Sequence, residues 1–422
     1  MDNKHNRTRS KMIRLLGANQ AAYSYGNNAA VPFFSYYLIR LGAGAFHLGV
    51  LSALQNLLTN AVQFPSAYLS DKMGKRLPFI AAGLGISGVM LLLITLFTNL
   101  WVIIFLICIQ AAAISIYFPS WSAMMGDKIK GGDRGFVLSE IAEASIIAGI
   151  MGAVSALVFL SLSSGMSASS FRLPFIVGAF SFFLAVLFTS MAKEVKRKCV
   201  KRVTKVSELD PNFKHLMKIQ CAYNLFMSFS WPLFPLTIAK VLDASNTDIA
   251  FLTLIPMVAT ALVQPFIGKA MDRTGPVWLI QASRFIFVAV PFVYAFAPDI
   301  RVIFALCVAE GISNAMINVA FTAYILDSSP PKARAEYFAY YNLGIGIVTF
   351  IGALVGGMAT IVLLNYYELW TAMLIVYMFS GAGRFATSLL FLGLKDSKDY
   401  PSTPLQIAYS KMEMVRLLRR RH

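Results

Sequence analysis

Charge is scarce in this chain. Only 14% of its 422 residues are Asp, Glu, Lys or Arg, whereas a soluble domain carries about 25%. So little charge could not clothe a surface of this size in water. Acids are rarer than bases, 20 against 37 Lys and Arg. Cysteine is also sparse. Cys108, Cys221 and Cys307 sit in apolar segments and Cys199 in a basic loop, a scatter that fits free thiols and not a disulfide framework. The four histidines, His5, His47, His215 and His422, lie far apart. No H-E-x-x-H pattern, phosphate-cradling glycine loop or close His/Cys cluster is present, so neither a metal site, nor a cofactor, nor ATP hydrolysis is expected. The same lack leaves a membrane-embedded transferase without its acid–His pair.

What the chain has instead is apolar length. It is 57% hydrophobic, and runs of about 20 apolar residues, enough to cross a bilayer as a helix, recur throughout. Backbone groups inside a bilayer must satisfy each other, and segments this long choose helices over the short alternating strands of a barrel. Twelve spans are expected: 19–41, 45–70, 78–98, 100–125, 135–163, 172–192, 213–241, 246–271, 276–297, 300–326, 335–364 and 368–394. The basic start MDNKHNRTRSKMIRLLG leads into Tyr23, Tyr25, Asn27 and Asn28, too polar for a cleaved signal core, so the first span is expected to remain. The net charge of +17 invites a nucleic-acid reading. Its distribution argues against one. The even connectors and both termini hold the bases: Lys4 to Arg14, then Lys72, Lys75 and Arg76, then Lys128, Lys130 and Arg134, then the middle loop KEVKRKCVKRVTK. The odd connectors hold little beyond Arg40, Arg172, Lys240 and Arg301. By the positive-inside rule both termini and the middle loop face the cytoplasm, and the bases contact anionic lipid. The tail LQIAYSKMEMVRLLRRRH is loosely amphipathic and either lies on the membrane or is a solvated topology determinant.

The chain also repeats itself. At an offset of about two hundred residues, Gln20, Ala22, Tyr23 and Pro32 meet Gln220, Ala222, Tyr223 and Pro232. Val62 and Gln63 meet Val263 and Gln264, and Cys108 and Gln110 meet Cys307 and Glu310. Asp71 and Gly74 meet Asp272 and Gly275, and Asp127 and Arg134 meet Asp327 and Arg334. Ordered matches at a near-constant offset mean two related halves, as in many secondary transporters. The division read is a segment 1–18, a six-helix bundle 19–192, a linker 193–212, a second bundle 213–394 and a basic tail 395–422.

The turn AYLSDKMGKR resembles the G-x-x-x-D-R-x-G-R-K signature of the major facilitator superfamily. Asp71, Gly74, Lys75 and Arg76 match, Lys72 replaces an arginine and Ala67 the first glycine. The second copy, GKAMDRTGPV, keeps Gly268, Asp272, Arg273 and Gly275. GDKIKGGDRG and LDSSPPKARA each give D-x6-R and look like the E-x6-R pairs of sugar-porter members. The resemblance implies an all-α membrane protein of twelve helices in two pseudo-symmetric bundles, acting as a monomer without covalent chemistry. It also implies a cytoplasmic latch of Asp71, Gly74, Lys75, Arg76, Asp127, Arg134, Glu140, Asp272, Arg273, Gly275, Asp327 and Arg334. Ionic contacts of this kind suit a two-state element, although fixing topology and capping helices explains the same residues.

In this superfamily helices 1, 4, 7 and 10 line the cavity. Here those segments carry Tyr23 and Asn27, then Gln110, Tyr117 and Trp121, then Asn224 and Trp231, then Glu310, Asn314 and Asn318. Polar side chains such as these also join helices to one another in membranes. Glu310 stands out, because a lone carboxylate within a span marks function by default. It is read as a proton-coupling or substrate-binding acid, with Glu143 as a second proton carrier and pairing to an intramembrane arginine as the alternative. Arg284 and Arg384, near mid-depth, either pair internally or hold an anionic substrate. The Gly352 to Gly356 spacing suits close helix packing. The whole is read as a multi-pass protein of the cytoplasmic membrane that moves a small solute with protons or another coupling ion. Uptake of a polar nutrient or organic anion fits the Asn/Gln-rich cavity. Drug efflux fits the aromatic richness, but helix 5, SIIAGIMGAVSA, lacks the glycine-proline motif of the superfamily's drug antiporters. A membrane receptor or scaffold without transport is the third reading.

Overall fold

The computed structural model describes residues 2–128, 134–163, 167–192, 209–330 and 333–396. Among these the secondary structure is helical, with no strand. Span 1 is α1 (Asp2–Ala30), a 3-10 turn Val31–Phe33 and α2 (Phe34–Arg40); span 2 is α3 (Ala45–Ala61) and α4 (Gln63–Met73). Spans 3 to 6 are α5 (Leu77–Ile94), α6 (Leu100–Lys128), α7 (Arg134–Leu162) and α8 (Arg172–Ser190). Span 7 is α9 (Pro211–Phe229), α10 (Leu233–Leu236) and a π-turn Thr237–Val241. Spans 8 to 11 are α11 (Asn246–Thr274), α12 (Pro276–Phe296), α13 (Ile300–Asp327) and α14 (Arg334–Leu364). Span 12 is α15 (Leu369–Ser388) with a 3-10 turn Leu389–Gly393.

Nine of the described helices are long and apolar enough to cross a membrane unaided. Spans 1, 2 and 7 fall short: each is interrupted, and α1 and α9, though long enough, carry polar residues such as Asn19, Asn27, Asn28, Gln220 and Asn224. Proline lacks the N–H that continues a helix, and its ring crowds the preceding turn. Span 1 breaks around Pro32 and span 7 around Pro232, the same position in the two repeats. Span 2 breaks at Val62, three residues before Pro65. Helix α1 also runs back through the basic start, well before residue 19.

Local chemistry sets several ends. Gly74 ends α4 in the left-handed region, at φ 61°, where a side chain would be strained. Ser245 and Asp248 close a reciprocal capping box at the start of α11, Asp248 N–H donating to Ser245 Oγ over 3.1 Å and Ser245 N–H to Asp248 Oδ2 over 3.0 Å. Asp210 caps α9 by accepting from the Asn212 and Phe213 N–H groups. Asp396, beyond the last span, accepts from the Val277 N–H at 3.1 Å and so ties the segment after span 12 to the start of α12.

Packing repeats with the sequence. Span 1 lies against spans 5 and 6, span 3 against 4 and 6, and span 2 against 4. Adding six to each number gives the second bundle: 7 against 11 and 12, 9 against 10 and 12, 8 against 10. The bundles meet along spans 2 and 11 and along spans 5 and 8, pairs that the pseudo-twofold exchanges. The seam is tightest at the end holding the odd connectors. A Cβ at Gly49 would lie 3.0 Å from Gly357 Cα, the Arg40 guanidinium donates to Ala244 O at 3.1 Å, and Asn246 Nδ2 donates to Ser163 Oγ at 3.4 Å. Midway along, Asn342 donates to Gln63 Oε1 at 3.0 Å. Beyond it α4 packs on α3 and α6 of its own bundle, and Tyr68, Leu69 and Asp71 are exposed. The bundles are closed at the end away from the charged turns and part toward those turns.

Candidate functional site

The two bundles hold unlike candidate walls for a cleft between them. On the first, α1 presents Asn19, Gln20 and Tyr23 to Tyr117 of α6. The Tyr117 hydroxyl donates toward Gln20 Oε1 at 2.6 Å and Asn19 Oδ1 at 3.2 Å. Asn19 Nδ2 is held in turn by Ala185 O and Thr189 Oγ1 at 2.8 and 2.9 Å. The Tyr23 and Tyr117 rings lie 4.7 Å apart, and Trp121 follows at 6.5 Å from Tyr117. The Trp121 Nε1 donor is buried with no partner. Asn27 is half-buried, one turn along from Tyr23, and Gln110 is buried. This wall is polar, aromatic and neutral.

The second wall is charged. Arg384 of α15 is 1% exposed and donates to three neutral acceptors, Phe287 O at 3.0 Å, Met227 O at 2.9 Å and Ser230 Oγ at 2.7 Å, while its Nε has no partner. Glu310 of α13 is half-buried and within electrostatic range of Arg384. Tyr36, Tyr294 and Cys307 lie within electrostatic range of that carboxylate. Tyr36 belongs to α2, the piece of span 1 past Pro32, so Glu310 sits where the bundles meet. Tyr377 closes the group, with its hydroxyl 2.6 Å from Thr237 Oγ1. Tyr36, Tyr294 and Tyr377 were not singled out in the sequence. An aromatic in an apolar run resembles any core residue.

Arg284 of α12 is 3% exposed and differently placed. Its guanidinium lies over the rings of Tyr223, Phe321 and Phe391 at 4.7, 4.8 and 5.7 Å and donates to Gln220 Oε1 at 3.2 Å. Its Nε has no partner. Of the remaining sequence candidates, Asn224 turns back to Gln220 O on its own helix at 2.8 Å and Trp231 is half-buried beside the Pro232 break. Asn314 and Asn318 are exposed, one and two turns beyond Glu310. Gly352 and Gly356 bring α14 onto α9, where a Cβ would overlap Ser228 Oγ and the Leu225 and Phe229 carbonyls.

At the charged end, Asp71 accepts from Arg76 of its own turn at 3.3 Å. Lys75 is exposed, and Gly275 turns the chain between α11 and α12 at φ 78°. Glu140, Glu143, Asp327 and Arg334 are exposed near the same end. The side chains of Asp127, Arg134, Asp272 and Arg273 lie outside the described residues. Among the described residues, no group of three or more His, Cys, Asp or Glu is placed to hold a metal ion.

A family model described as Major Facilitator Superfamily matches residues 16–229 and again residues 216–421. Multidrug resistance protein 1 of Bacillus subtilis is 27% identical over 139 residues, 32% of this chain. The chain spans only 36% of that relative's length. An uncharacterized MFS-type transporter of Methanocaldococcus jannaschii is 21% identical over 378 residues, covering 84% of this chain and 90% of the relative. Among solved structures, a D-xylose-proton symporter superposes with TM-score 0.68 at 12% identity, covering 94% of this chain and 98% of that one.

Proposed function

The chain belongs to the Major Facilitator Superfamily and is a multi-pass secondary transporter, and from that premise we propose that it moves a small polar solute with protons carried by Glu310. The observation that carries this reading is the position of Glu310. Among the described residues it is the one acid at mid-depth of the spans, and it lies within electrostatic range of a buried Arg384 and of Tyr36 from the opposite bundle. A carboxylate there is costly to ionise and interacts with both bundles. Taking or losing a proton changes its attraction to Arg384 and the polarity of the contact with α2. Proton and solute occupancy then favour the two access states unequally, which is how a gradient does work. Glu143, exposed nearer the charged end, is the second proton site in this scheme.

The membrane is the cytoplasmic one, with the charged turns and both termini inside and the basic loops against anionic lipid. The protein acts as a monomer, and the state described is open to the cytoplasm. Closing that side would move Asp71 from Arg76 of its own turn toward the start of span 11, where Arg334 and the helix N-terminus favour an anion. The substrate cavity is then Tyr23, Asn27, Gln110, Tyr117, Asn224, Trp231, Glu310, Asn314 and Asn318, with the solute a polar nutrient or organic anion. A second reading, efflux of amphipathic compounds, is favoured by the match to multidrug resistance protein 1.

The test is proton-driven flux into or out of proteoliposomes. Glu310→Gln is expected to lose accumulation driven by a pH step while keeping solute exchange across equal pH. Unchanged accumulation ends the coupling proposal. A ligand-stabilisation screen separates the two substrate readings: sugars or organic acids support the first, lipophilic cations the second.

A further inference from the structure

Two arginines are buried at depth in the second bundle, and they are not alike. Arg384 has three hydrogen-bond acceptors and a carboxylate in range. Arg284 has Gln220 Oε1 as its one close acceptor, with the Tyr223 hydroxyl in hydrogen-bonding range and no carboxylate beside it, and both arginines leave Nε unpartnered. Among the described residues, the titratable groups facing Arg284 are Tyr223 and Tyr341, with Arg384 beyond them and no acid. The aromatic rings attract the cation by their faces but supply no counter-charge. A desolvated, hydrogen-bond-poor cation of this kind is costly, and an anion relieves the cost by taking the free edge of the guanidinium.

Packing alone does not ask for the charge. In the first bundle the repeat-matched Gln20 receives a neutral donor, the Tyr117 hydroxyl, and the repeat-matched Tyr23 packs on the Tyr117 and Phe182 rings. The scaffold closes around a tyrosine there and around an arginine here. Gln220 and Tyr223 come from span 7, and Phe321 comes from span 10, two spans that the sequence placed on the cleft. Arg284 thus reaches from peripheral span 9 to the backs of two cleft helices.

We propose that Arg284 binds a carboxylate or phosphate group of the transported solute, so that the substrate is a small organic anion. This rests on the carrier reading above and names its substrate class. In the state described the site is occluded: Phe321 covers one face of the guanidinium and stands 6.0 Å from the Tyr341 ring. Entry of an anion requires that ring pair to turn aside. Glu310 and Arg384 remain the coupling pair and Arg284 the recognition group, which separates the two tasks on different side chains.

The experiment is equilibrium binding to the purified full-length protein in detergent, read as the ligand-induced shift in unfolding temperature with no gradient present. The probes are two- to six-carbon mono- and dicarboxylates, inorganic phosphate and glycerol phosphate, with succinamide and xylose as neutral controls. The wild type is expected to respond to at least one anion and to neither neutral control; a carboxylate response against a phosphate response identifies which group is read. Arg284→Gln is expected to weaken that response at least about tenfold, and Arg284→Lys, which keeps the charge but loses the fork, to retain part of it. Comparing shifts instead of starting temperatures separates binding from any structural cost. If Arg284→Gln does not purify, Arg284→Lys carries the test, and wild-type potency in it overturns the proposal. A wild type that responds to no anion, or an Arg284→Gln protein that binds anions as the wild type does, overturns it too. Binding that survives while pH-driven accumulation fails would count against proton coupling and leave this site standing.

Discussion

The two bundles share a packing plan and differ in charge. At matched positions the first has Gln20 bonded to Tyr117 and the second has Gln220 bonded to Arg284. The first has Gln110 where the second has Glu310. Both have a proline that breaks the first span of the bundle, Pro32 and Pro232. The common features are therefore those that build a six-helix unit with an interrupted lining helix. The charges are extra, placed on one side only. Burying them costs free energy that the first bundle avoids with neutral groups, and the proposed roles, proton binding at Glu310 and anion recognition at Arg284, would account for that cost.

That contrast is easiest to break at Glu310. Glu310→Gln makes the bundles alike at this position, and accumulation driven by a pH gradient is expected to fall to background. Retained accumulation would return the acid to a purely structural role. The next effect in size is on stability. Arg384→Met removes a donor from Phe287 O, Met227 O and Ser230 Oγ, although Met227 O keeps the Ser230 hydroxyl and Ser230 Oγ keeps the Ser380 hydroxyl, at a cost of about 1–3 kcal/mol. Thermal unfolding in detergent measures it. The cost is expected to be smaller in a Glu310→Gln background, because no carboxylate is then left without its neighbouring cation. Equal costs in the two backgrounds would show that the pair does not interact. At the level of whole bundles, Gly49→Leu forces a side chain into the closed seam, where even a Cβ meets Gly357 Cα at 3.0 Å. Overpacking of about 1–3 kcal/mol should shift the population toward the state open at that end. Spin-label distances between connectors 41–44 and 365–368 would lengthen. Gly268→Leu, where an added Cβ has nothing within 4 Å, is the control and should leave them unchanged.

The fold was legible because its determinants are patterned. Apolar length gave the spans, the alternation of basic connectors gave their order, and repeated pairs such as Asp71 with Asp272 gave the two-bundle plan. The matched prolines were visible as a repeat feature, but that they interrupt spans 1 and 7 was not read, since the apolar pattern continues across them. Candidates for the site were legible where a residue was chemically out of place: Glu310, Arg284 and Arg384 in apolar runs. Their partners were not. Arg384 is held largely by backbone carbonyls, which every residue has and no sequence pattern displays. Tyr36 reaches Glu310 from another bundle through a helix break, a contact that depends on tertiary geometry.

The neutral wall provides the finest test of the contrast. Tyr117→Phe removes a hydroxyl from Gln20 Oε1 at 2.6 Å and from Asn19 Oδ1 at 3.2 Å. Asn19 keeps its bonds to Ala185 O and Thr189 Oγ1, and Gln20 is only half-buried, with Ser145 Oγ 3.5 Å from its Nε2. The loss should be about 1 kcal/mol. If the first wall only shapes the cavity, that loss appears as a change in solute affinity of about fivefold, with the ratio of protons to solute unaltered. A Tyr117→Phe protein that binds its solute normally yet leaks protons would place coupling on the first wall as well. The charge asymmetry would then be a feature of how the second bundle is packed, because a neutral hydroxyl can govern proton movement only if it is part of the proton's path.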